Sequence, residues 1–376
     1  MSNLSNNISN YWNKLHNNLF PELEEVLDGK LSKKMKQLVA LLDMVRIENF
    51  IPSTSRMAGR PPKNRSAVAR SFLAKAVFNI PTTHLLIDRL KNDKTLRTIC
   101  GFESQSQIPA ESSFSEAFSL FATLKLPEIA HAFLIERQYK DEIVFHKSTD
   151  ATAIEGREKA VKKEKVIKIK DKKRAAKGCA KLTRIEKQAS GHMTLFEMIA
   201  DLPTDCNVGM KTSSTGHAYA WVGFKLHMSV DDHGIPLAAL LTSASLNDSQ
   251  VAIPLAEITN QRVTSLYDLM DSGYYADGIS SHCRSLGHVP IIDKAAKGVI
   301  QKHEKEQEKL ACKNLCWLPA EKIRYKKRTV VERAFSRLKD QFGALNIRVR
   351  GVVKVMSHLM YGVLAQTVDQ LLKLAT

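Results

Sequence analysis

The sequence predicts a mixed fold (α+β or α/β) in which a mixed-direction sheet is flanked by helices and preceded by an all-helical N-terminal region. Apolar residues recur every three or four positions from Leu31 to about Ala130, which is the spacing of packed helices. After Ile143, β-rich runs alternate with helical ones in the order strand, hairpin, helix, strand, helix, strand and helix. The predicted units are a helical N-terminal region over 1–135, a sheet domain over 140–355 and a C-terminal helix over 356–376.

The charge balance of the chain indicates a polyanionic partner. Its 376 residues include 56 Lys or Arg and 39 Asp or Glu, which gives a formal net charge of +17. Nucleic acid is favoured over a membrane, because no apolar run is long enough to span a bilayer. A basic surface without a specific partner is the alternative. The length and the 44% hydrophobic content favour a globular protein of two or three units.

The N-terminus and the cysteines predict a cytoplasmic protein with reduced thiols. The first twenty residues contain neither an apolar signal core nor a small-residue cleavage site. The six cysteines are irregularly spaced, as is usual for reduced thiols. Cys312 and Cys316 resemble half of a zinc site, but no second pair accompanies them, so ordinary thiols are favoured.

Short helices in the N-terminal region permit a helix-turn-helix. Helices over 82–90 and 111–118 are separated by a loop that contains Gly and Pro. In a helix-turn-helix, the second of them would present Ser112 and Ser113 to DNA. An ordinary helical bundle that only positions the sheet domain is the alternative.

Two basic segments interrupt the regular elements. Gly59-Arg60-Pro61 lies in an extended stretch that could lay Arg60 in a minor groove, although a plain linker fits equally well. Residues 157–187 form a basic insertion with fourteen Lys or Arg and four Asp or Glu. Its cations, including Lys162 and Lys163, would neutralise DNA phosphates without reading sequence. A solvated helix or loop is the alternative interpretation of this insertion.

The strands of the sheet domain are predicted from β-rich runs that end at turn residues. The first strand ends at Asp150, and a later buried strand ends just before Asp271. A helix begins at about Asp248, between the hairpin and that later strand. The predicted strands are 143–150, the hairpin 219–230 and 235–242 with its turn at 231–234, 263–270, and 288–292.

A helix near the C-terminus is predicted to hold one carboxylate among cations. Spacings of three, four and seven residues keep four polar side chains within a narrow arc: Tyr325, Arg328, Glu332 and Lys339. The other side carries Val331, Ala334, Phe335, Leu338 and Phe342. A metal-bound phosphodiester would require such a face, because Glu binds the metal and the cations face phosphates.

Three acids are predicted to come together in this topology: Asp150, Asp271 and Glu332. Their oxygens suit Mg²⁺ or Mn²⁺, and two such ions can flank a scissile phosphate. Each acid alone is weak support, because an Asp at a strand end is more often a turn or cap residue. Asp268 lies on the same strand as the residues before Asp271 and is the alternative second acid.

The spacing Tyr-x2-Arg-x3-Glu-x6-Lys, from Tyr325 to Lys339, resembles the last catalytic block of DDE transposases of bacterial insertion sequences. The resemblance runs from about residue 140 to 355, and Gly59-Arg60-Pro61 is a further similarity. The other matching motifs are Ser148-Thr149-Asp150-Ala151-Thr152, Gly223-Phe224-Lys225-Leu226-His227, Leu246-Asn247-Asp248-Ser249, Asp271-Ser272-Gly273-Tyr274 and Arg348-Val349-Arg350-Gly351.

This resemblance implies an RNase H-like catalytic domain that cuts transposon ends and joins them to target DNA. Asp150, Asp271 and Glu332 would be catalytic ligands of Mg²⁺ or Mn²⁺. The remaining residues of the last block, Tyr325, Arg328 and Lys339, would contact DNA phosphates or order the strand near the cut. The expected partner is double-stranded DNA, bound by a homodimer in the bacterial cytoplasm and nucleoid.

Two other functions are weighed against a transposase. A non-catalytic DNA-binding protein derived from such an enzyme is disfavoured because all three acids are present. A stand-alone Mg²⁺-dependent nuclease is disfavoured because Glu332 and Lys339 are a helical heptad apart rather than in a Glu-x-Lys motif. Hairpin formation at the DNA ends is not assumed, because the 61 residues from Asp271 to Glu332 leave little room for the β insertion of some relatives.

Overall fold

The computed structural model describes residues 3–52, 64–161, 182–212, 216–293, 299–314 and 319–375. Its N-terminal part is helical, and polar residues such as Ser32, Asn64 and Asp93 accept hydrogen bonds from backbone N–H groups of the first turn. These caps satisfy amides that a helix leaves unpaired, so they favour the observed helix starts. The helices are α1 (Asn3–Lys14), which continues through a π-helical turn (Leu15–Leu19) into α2 (Phe20–Val26), then α3 (Lys33–Val45), α4 (Arg65–Val77), α5 (Thr83–Asn92), α6 (Lys94–Cys100), α7 (Glu111–Thr123) and α8 (Leu126–Gln138).

A mixed sheet of six strands follows in the described part of the chain. The strands are β1 (Ile143–Glu155), β2 (Asn207–Thr212), β3 (Ala218–Val230), β4 (Pro236–Ser243), β5 (Thr264–Met270) and β6 (Val289–Ile292). β1 is central, with antiparallel β3 on one side and parallel β5 on the other. β2 and β4 both pair with β3, and β6 extends the sheet beyond β5. Because β1 and β5 are parallel neighbours, the carboxyl end of β5 lies beside the middle of β1, at Thr149.

Helices cover both faces of the sheet. The helices are α9 (Arg184–Ala189), α10 (Leu195–Ala200), α11 (Ala252–Asn260), α12 (Asp277–Ser285), α13 (Val299–Asn314), α14 (Ala320–Tyr325), α15 (Thr329–Gln341) and α16 (Val352–Leu372). α9 to α12 pack against one another around two small apolar clusters. α15 packs on β1 and β3. These contacts leave the end of β1 beside α15, which bears Glu332.

The C-terminal helix α16 joins the N-terminal helices to the sheet. It contacts α3, α4, α7 and α8 as well as β4, and most of its residues are buried. One apolar cluster therefore includes side chains from the N-terminal helices, the sheet, α15 and α16. Burial of this shared apolar surface is the main contribution that holds these layers together.

The prediction of a mixed sheet preceded by helices is confirmed, and the sheet is consistent with an RNase H-like domain. β1 runs on to Glu155 rather than ending at Asp150, because residues 150–155 pair with residues 223–228 of β3. Gly223 is required at this pairing, since a Cβ there would collide with the Ile154 carbonyl oxygen. β2 is a strand that the sequence did not predict.

The predicted helix from Tyr325 to Lys339 is not continuous. α14 ends at Tyr325, a 3₁₀ turn spans Lys326–Arg328, and α15 begins at Thr329. The Thr329 hydroxyl donates to the Lys326 carbonyl oxygen at 3.2 Å, a local bond that competes with regular helix geometry. The predicted apolar face is confirmed, because Val331, Ala334, Phe335, Leu338 and Phe342 are all buried.

No single helix in the described ranges is both long enough and apolar enough to cross a membrane. Helices α7 and α8 meet that test of length and composition only as a pair, and the pair is bent by 53°.

Candidate active site

Two of the predicted acids lie side by side at the carboxyl end of β5. In the parallel register Thr149 of β1 is opposite Met270 of β5, so Asp150 and Asp271 are the next residue on each strand. Burial raises the pKa of Asp150, and the negative charge of Asp271 raises it further. The sheet therefore brings together two carboxylates that are 121 positions apart in the sequence.

Asp150 is held in a largely buried position. Its side chain is 16% exposed, Oδ1 accepts a hydrogen bond from the Ala151 N–H at 2.8 Å, and Oδ2 lies 3.5 Å from Nη1 of Arg328. Burial raises the pKa of Asp150 to about 6, and Asp271 adds to this effect. The Ala151 amide, Arg328 and Lys211 act in the opposite direction but do not cancel it. Asp150 is therefore a carboxylate with too little positive charge around it.

Arg328 links Asp150 to the third acid. Its Nη2 donates to Oε1 of Glu332 at 2.7 Å, while Nη1 faces Asp150. The side chain of Glu332 is 51% exposed, so this carboxylate opens to solvent. In the described chain, no group of three or more His, Cys, Asp and Glu side chains is arranged to hold a metal ion. Arg328 occupies the position between Asp150 and Glu332 instead.

The residues around Asp150 nevertheless fit a divalent cation that prefers oxygen ligands. Asp150 and Asp271 repel each other in a buried setting, and a bound cation would relieve that repulsion. The hydroxyl of Tyr274 is buried without a hydrogen-bond partner in the described chain. Burial, followed by the charges of Asp248, Asp150 and Asp271, raises the pKa of Tyr274 well above its usual value. An orphaned hydroxyl among acids indicates room for a further polar partner.

The loop after β5 is shaped by hydrogen bonds to acidic side chains. The Gly273 N–H donates to Oδ1 of Asp271 at 2.9 Å. A Cβ at Gly273 would lie only 3.0 Å from that oxygen, so glycine permits the approach.

Lys225 on β3 is held by the segment that follows β4. Its Nζ donates to the Leu246 carbonyl oxygen and to Oδ1 of Asp248, both at 2.8 Å. This pair joins two motifs that are distant in sequence.

Lys339 and Lys211 supply positive charge beside the acids. Lys339 donates from Nζ to Oγ1 of Thr152 at 2.8 Å, two residues beyond Asp150 on β1. Burial, followed by the charge of Lys211, lowers the pKa of Lys339. The sequence did not predict Lys211 as a residue of this site, since a single Lys carries no signal and its strand β2 was not predicted. Tyr325 also belongs to this group, because the Arg328 guanidinium lies 5.7 Å from the centre of its ring.

Asp268, the alternative second acid, lies in the protein core. It is fully buried, with Oδ1 3.0 Å from Nζ of Lys147 and Oδ2 3.1 Å from Nδ1 of His288. Burial alone would raise the pKa of Asp268, but Lys147 and His288 outweigh it and the net shift is downward. Asp268 is neutralised within the fold, which leaves Asp271 as the acid beside Asp150.

Three of the predicted DNA contacts, Arg60, Lys162 and Lys163, lie outside the described residues. The basic insertion is described only at its two ends, 157–161 and 182–187. Ser112 is exposed on α7 and Ser113 is half-buried. The helix-turn-helix stays a prediction.

Comparison with known families bears on both halves of the chain. Residues 203–368 match the family described as "Transposase DDE domain", and residues 21–120 match "Transposase domain (DUF772)". Asp271 and Glu332 lie inside the first match, and Asp150 precedes it. No curated protein and no solved structure matches the chain. The two family matches support a DDE transposase family and a transposase function for this protein.

Proposed function

We propose that this protein is a transposase that cuts DNA at the ends of an insertion sequence and joins those ends to target DNA. The observation that carries the proposal is the pairing of Asp150 with Asp271 on adjacent strands, with Arg328 linking Asp150 to Glu332. A buried acid with a raised pKa beside a second acid is typical of a reaction site. The transposase families that match the chain support the same function.

Asp150, Asp271 and Glu332 would hold Mg²⁺ or Mn²⁺, as two ions. When bound, these ions would lower the pKa of an attacking water and stabilise the charge of the departing oxygen. The oxygen of the water attacks the scissile phosphorus, the bond from phosphorus to the 3′ oxygen breaks, and a 3′-hydroxyl is released. That hydroxyl then attacks a target phosphodiester and displaces its 3′ oxygen, so one bond forms for each bond broken.

The cations around the acids would position the DNA. Arg328 contacts both Asp150 and Glu332 in the structure, and a DNA phosphate would compete with these acids for its guanidinium. Lys339 and Tyr325 would contact neighbouring phosphates. Arg60, Lys162 and Lys163 would add contacts that do not depend on sequence. We further propose that the helical region of residues 1–135 binds the element ends, and that a homodimer is the active form on DNA.

The proposal is tested with labelled duplexes that carry the inverted repeats flanking the reading frame. Glu332→Gln should reduce cleavage in Mg²⁺ by about a thousandfold or more, because the amide keeps the shape of the side chain but loses the charge. DNA binding, measured by gel shift in EDTA, should be unchanged. Glu321→Gln, an exposed acid on α14, is the matched control and should cleave normally.

The wild-type products separate the alternatives. Cleavage followed by joining to target DNA supports a transposase. Cleavage without joining would instead support a stand-alone nuclease, and a gel shift without cleavage would support a non-catalytic DNA-binding protein. Cleavage at the wild-type rate by Glu332→Gln would contradict the assignment of this acid.

A further inference from the structure

The last turn of α14 carries an arginine that the acidic site does not use. Arg324 lies immediately before Tyr325 and is half-buried. Its guanidinium carbon is 4.2 Å from the centre of the Tyr267 ring on β5, a distance at which a cation and an aromatic ring attract each other. Its Nη1 donates to Nε2 of His146 on β1 at 3.2 Å. Contacts from two neighbouring strands therefore fix the position of this guanidinium.

His146 is itself fixed by Asp232, which lies in the turn between β3 and β4. A guanidinium has only donors, so Nε2 of His146 must accept from it and the ring proton must be on Nδ1. Nδ1 lies 2.9 Å and 3.1 Å from the two carboxylate oxygens of Asp232, and the His146 backbone N–H donates to Oδ2 at 3.1 Å. The imidazole also stacks on Tyr267, with the ring centres 5.4 Å apart. Asp232 therefore holds the imidazole, and the imidazole holds Arg324.

The charge of Arg324 is not balanced by an acid. Among the residues that the structure describes, no carboxylate forms an ion pair with Arg324, and its Nε and Nη2 donate no hydrogen bond. Arg328, four residues later in the chain, instead contacts both Asp150 and Glu332. A guanidinium that is held by two rings, with donors left over, is suited to an anion that has several oxygens.

Arg324 and the proposed reaction site share one face of the sheet. Four residues separate His146 from Asp150 on β1, so both side chains lie on the same face. The register that places His146 opposite Tyr267 also places Asp150 beside Asp271. Four residues of a strand span about 13 Å, and a DNA strand advances about 3.4 Å along the duplex axis for each phosphate. A DNA strand that follows β1 away from the acids would therefore bring a phosphate to Arg324 about four nucleotides from the cut.

We propose that Arg324 binds a backbone phosphate of the DNA a few nucleotides from the cut, and that His146 and Asp232 are positioning residues for its guanidinium. The assignment rests on the proposed function, because it takes DNA as the ligand. The planar guanidinium can donate two parallel hydrogen bonds to one phosphate. Holding it against Tyr267 before DNA arrives reduces the conformational freedom that is lost on binding.

The first measurement is the affinity for an uncut duplex that carries the inverted repeats, in EDTA and over a range of salt concentrations. Arg324→Gln should weaken binding by about tenfold and make the slope of log affinity against log salt shallower by about 1. The Gln amide can still donate to His146, so a role limited to that bond would survive the substitution. Arg284→Gln is the matched control, since Arg284 is exposed on α12, and its affinity and slope should match the wild type.

The second measurement locates the phosphate. Each phosphate near the cut is replaced in turn by an uncharged methylphosphonate, and the affinity of each duplex is measured in EDTA. One replacement a few nucleotides from the cut should weaken binding of the wild type and of Arg284→Gln by about tenfold. The same replacement should have no further effect on Arg324→Gln, because the charge that it contacts is already gone.

The third measurement tests His146 as a positioning residue. His146→Phe keeps a ring beside Tyr267 but removes the nitrogen that accepts from Arg324. It should weaken DNA binding by about threefold in the wild-type background and have no effect in the Arg324→Gln background. His146→Gln, whose amide oxygen can accept in place of Nε2, should bind like the wild type. Equal effects of His146→Phe in the two backgrounds would overturn the positioning role.

The outcomes separate this site from the proposed function. A shallower salt slope for Arg324→Gln, with one methylphosphonate that no longer matters, supports the proposal. If the wild type cuts and joins DNA but Arg324→Gln binds like Arg284→Gln, the phosphate site is overturned and the proposed function stands. If DNA is bound through Arg324 but is never cut, the phosphate site stands and the transposase activity fails. A wild type that binds no DNA would overturn both.

Discussion

Strands β1 and β5 hold two sites that contain acids, and the negative charge is balanced at only one of them. Lys147 on β1 is in register with Asp268 on β5, and three residues further along each strand lie Asp150 and Asp271. The first pair is fully buried and is completed by His288, whereas Asp150 has another acid beside it and Arg328 at 3.5 Å. Because side chains alternate along a strand, a step of three residues moves from one face of β1 to the other. α12 lies over the face that holds Asp268, where its Cys283 is beside that acid, and α15 lies over the other face, where its Lys339 bonds to Thr152.

This difference separates an acid that belongs to the fold from acids that are available for chemistry. Asp268 has its charge balanced inside the protein, and its pKa is lowered. Asp150 is also buried, yet its pKa is raised because burial and Asp271 outweigh the nearby cations. Protein folds rarely leave such a charge uncompensated except where a ligand or a reaction uses it. Three sets of substitutions test this difference between Asp268 and Asp150.

The largest effects are expected from changing Asp to Asn at two positions, Asp268 on β5 and Asp271 directly after it. Asp271→Asn should reduce cleavage by about a thousandfold or more, because it removes a proposed metal ligand, with little change in stability. Asp268→Asn should instead lower the free energy of unfolding by about 3 kcal/mol or more, because Lys147 is left buried without a counter-charge. Urea unfolding and a cleavage assay on both variants check this. Equal stability of the two variants would remove the distinction between them.

A smaller effect on stability is expected at Asp150. In protein kept metal-free with EDTA, its folded-state pKa of about 6 lies above the ordinary 3.8, so the folded state binds the proton more tightly. Stability is therefore lost as the pH rises from about 4 to about 6, and the loss is complete above that range. Asp150→Asn removes this loss of stability, because the amide does not ionise. It should therefore raise the free energy of unfolding by about 1 kcal/mol at pH 4.5 and about 3 kcal/mol at pH 7.

Urea unfolding at the two pH values tests the prediction for Asp150. The exposed Asp141→Asn is the control, and its stability should match the wild type at both values. A gain for Asp150→Asn that is the same at pH 4.5 and pH 7 would show that the raised pKa does not describe this acid. The variant should be inactive even where it is more stable, which is the reverse of the outcome for Asp268→Asn.

The smallest effects are expected from removing the orphaned hydroxyl beside the acids. Tyr274→Phe should raise the free energy of unfolding by about 1 kcal/mol, because the hydroxyl is buried without a partner in the described chain. Cleavage should fall by about tenfold if the hydroxyl bonds with the reacting groups. Tyr361→Phe is the matched control, since Tyr361 on α16 is also buried with an unpaired hydroxyl. It should gain similar stability and keep its cleavage rate, and equal rates for the two variants would count against a role for Tyr274.

Much of the fold could be predicted because the relevant patterns are local. The periodicity of three and four residues predicted α3, α4 and the apolar face of α15, because apolar side chains at this spacing line up along one side of a helix. β2 could not be predicted in this way, because a short strand is defined by its partner β3 rather than by its own residues. Lys211 was missed for the same reason.

The mixed sheet, the helical region before it and the spacing from Tyr325 to Lys339 can be predicted without the structure, because they depend on neighbouring residues and on turn chemistry. The folded structure is needed to show that Asp150 lies beside Asp271, that Arg328 links Asp150 to Glu332, and that Asp268 is neutralised by Lys147. Whether a charge is balanced depends on residues that are distant in sequence, so burial and pairing appear only once the chain is folded.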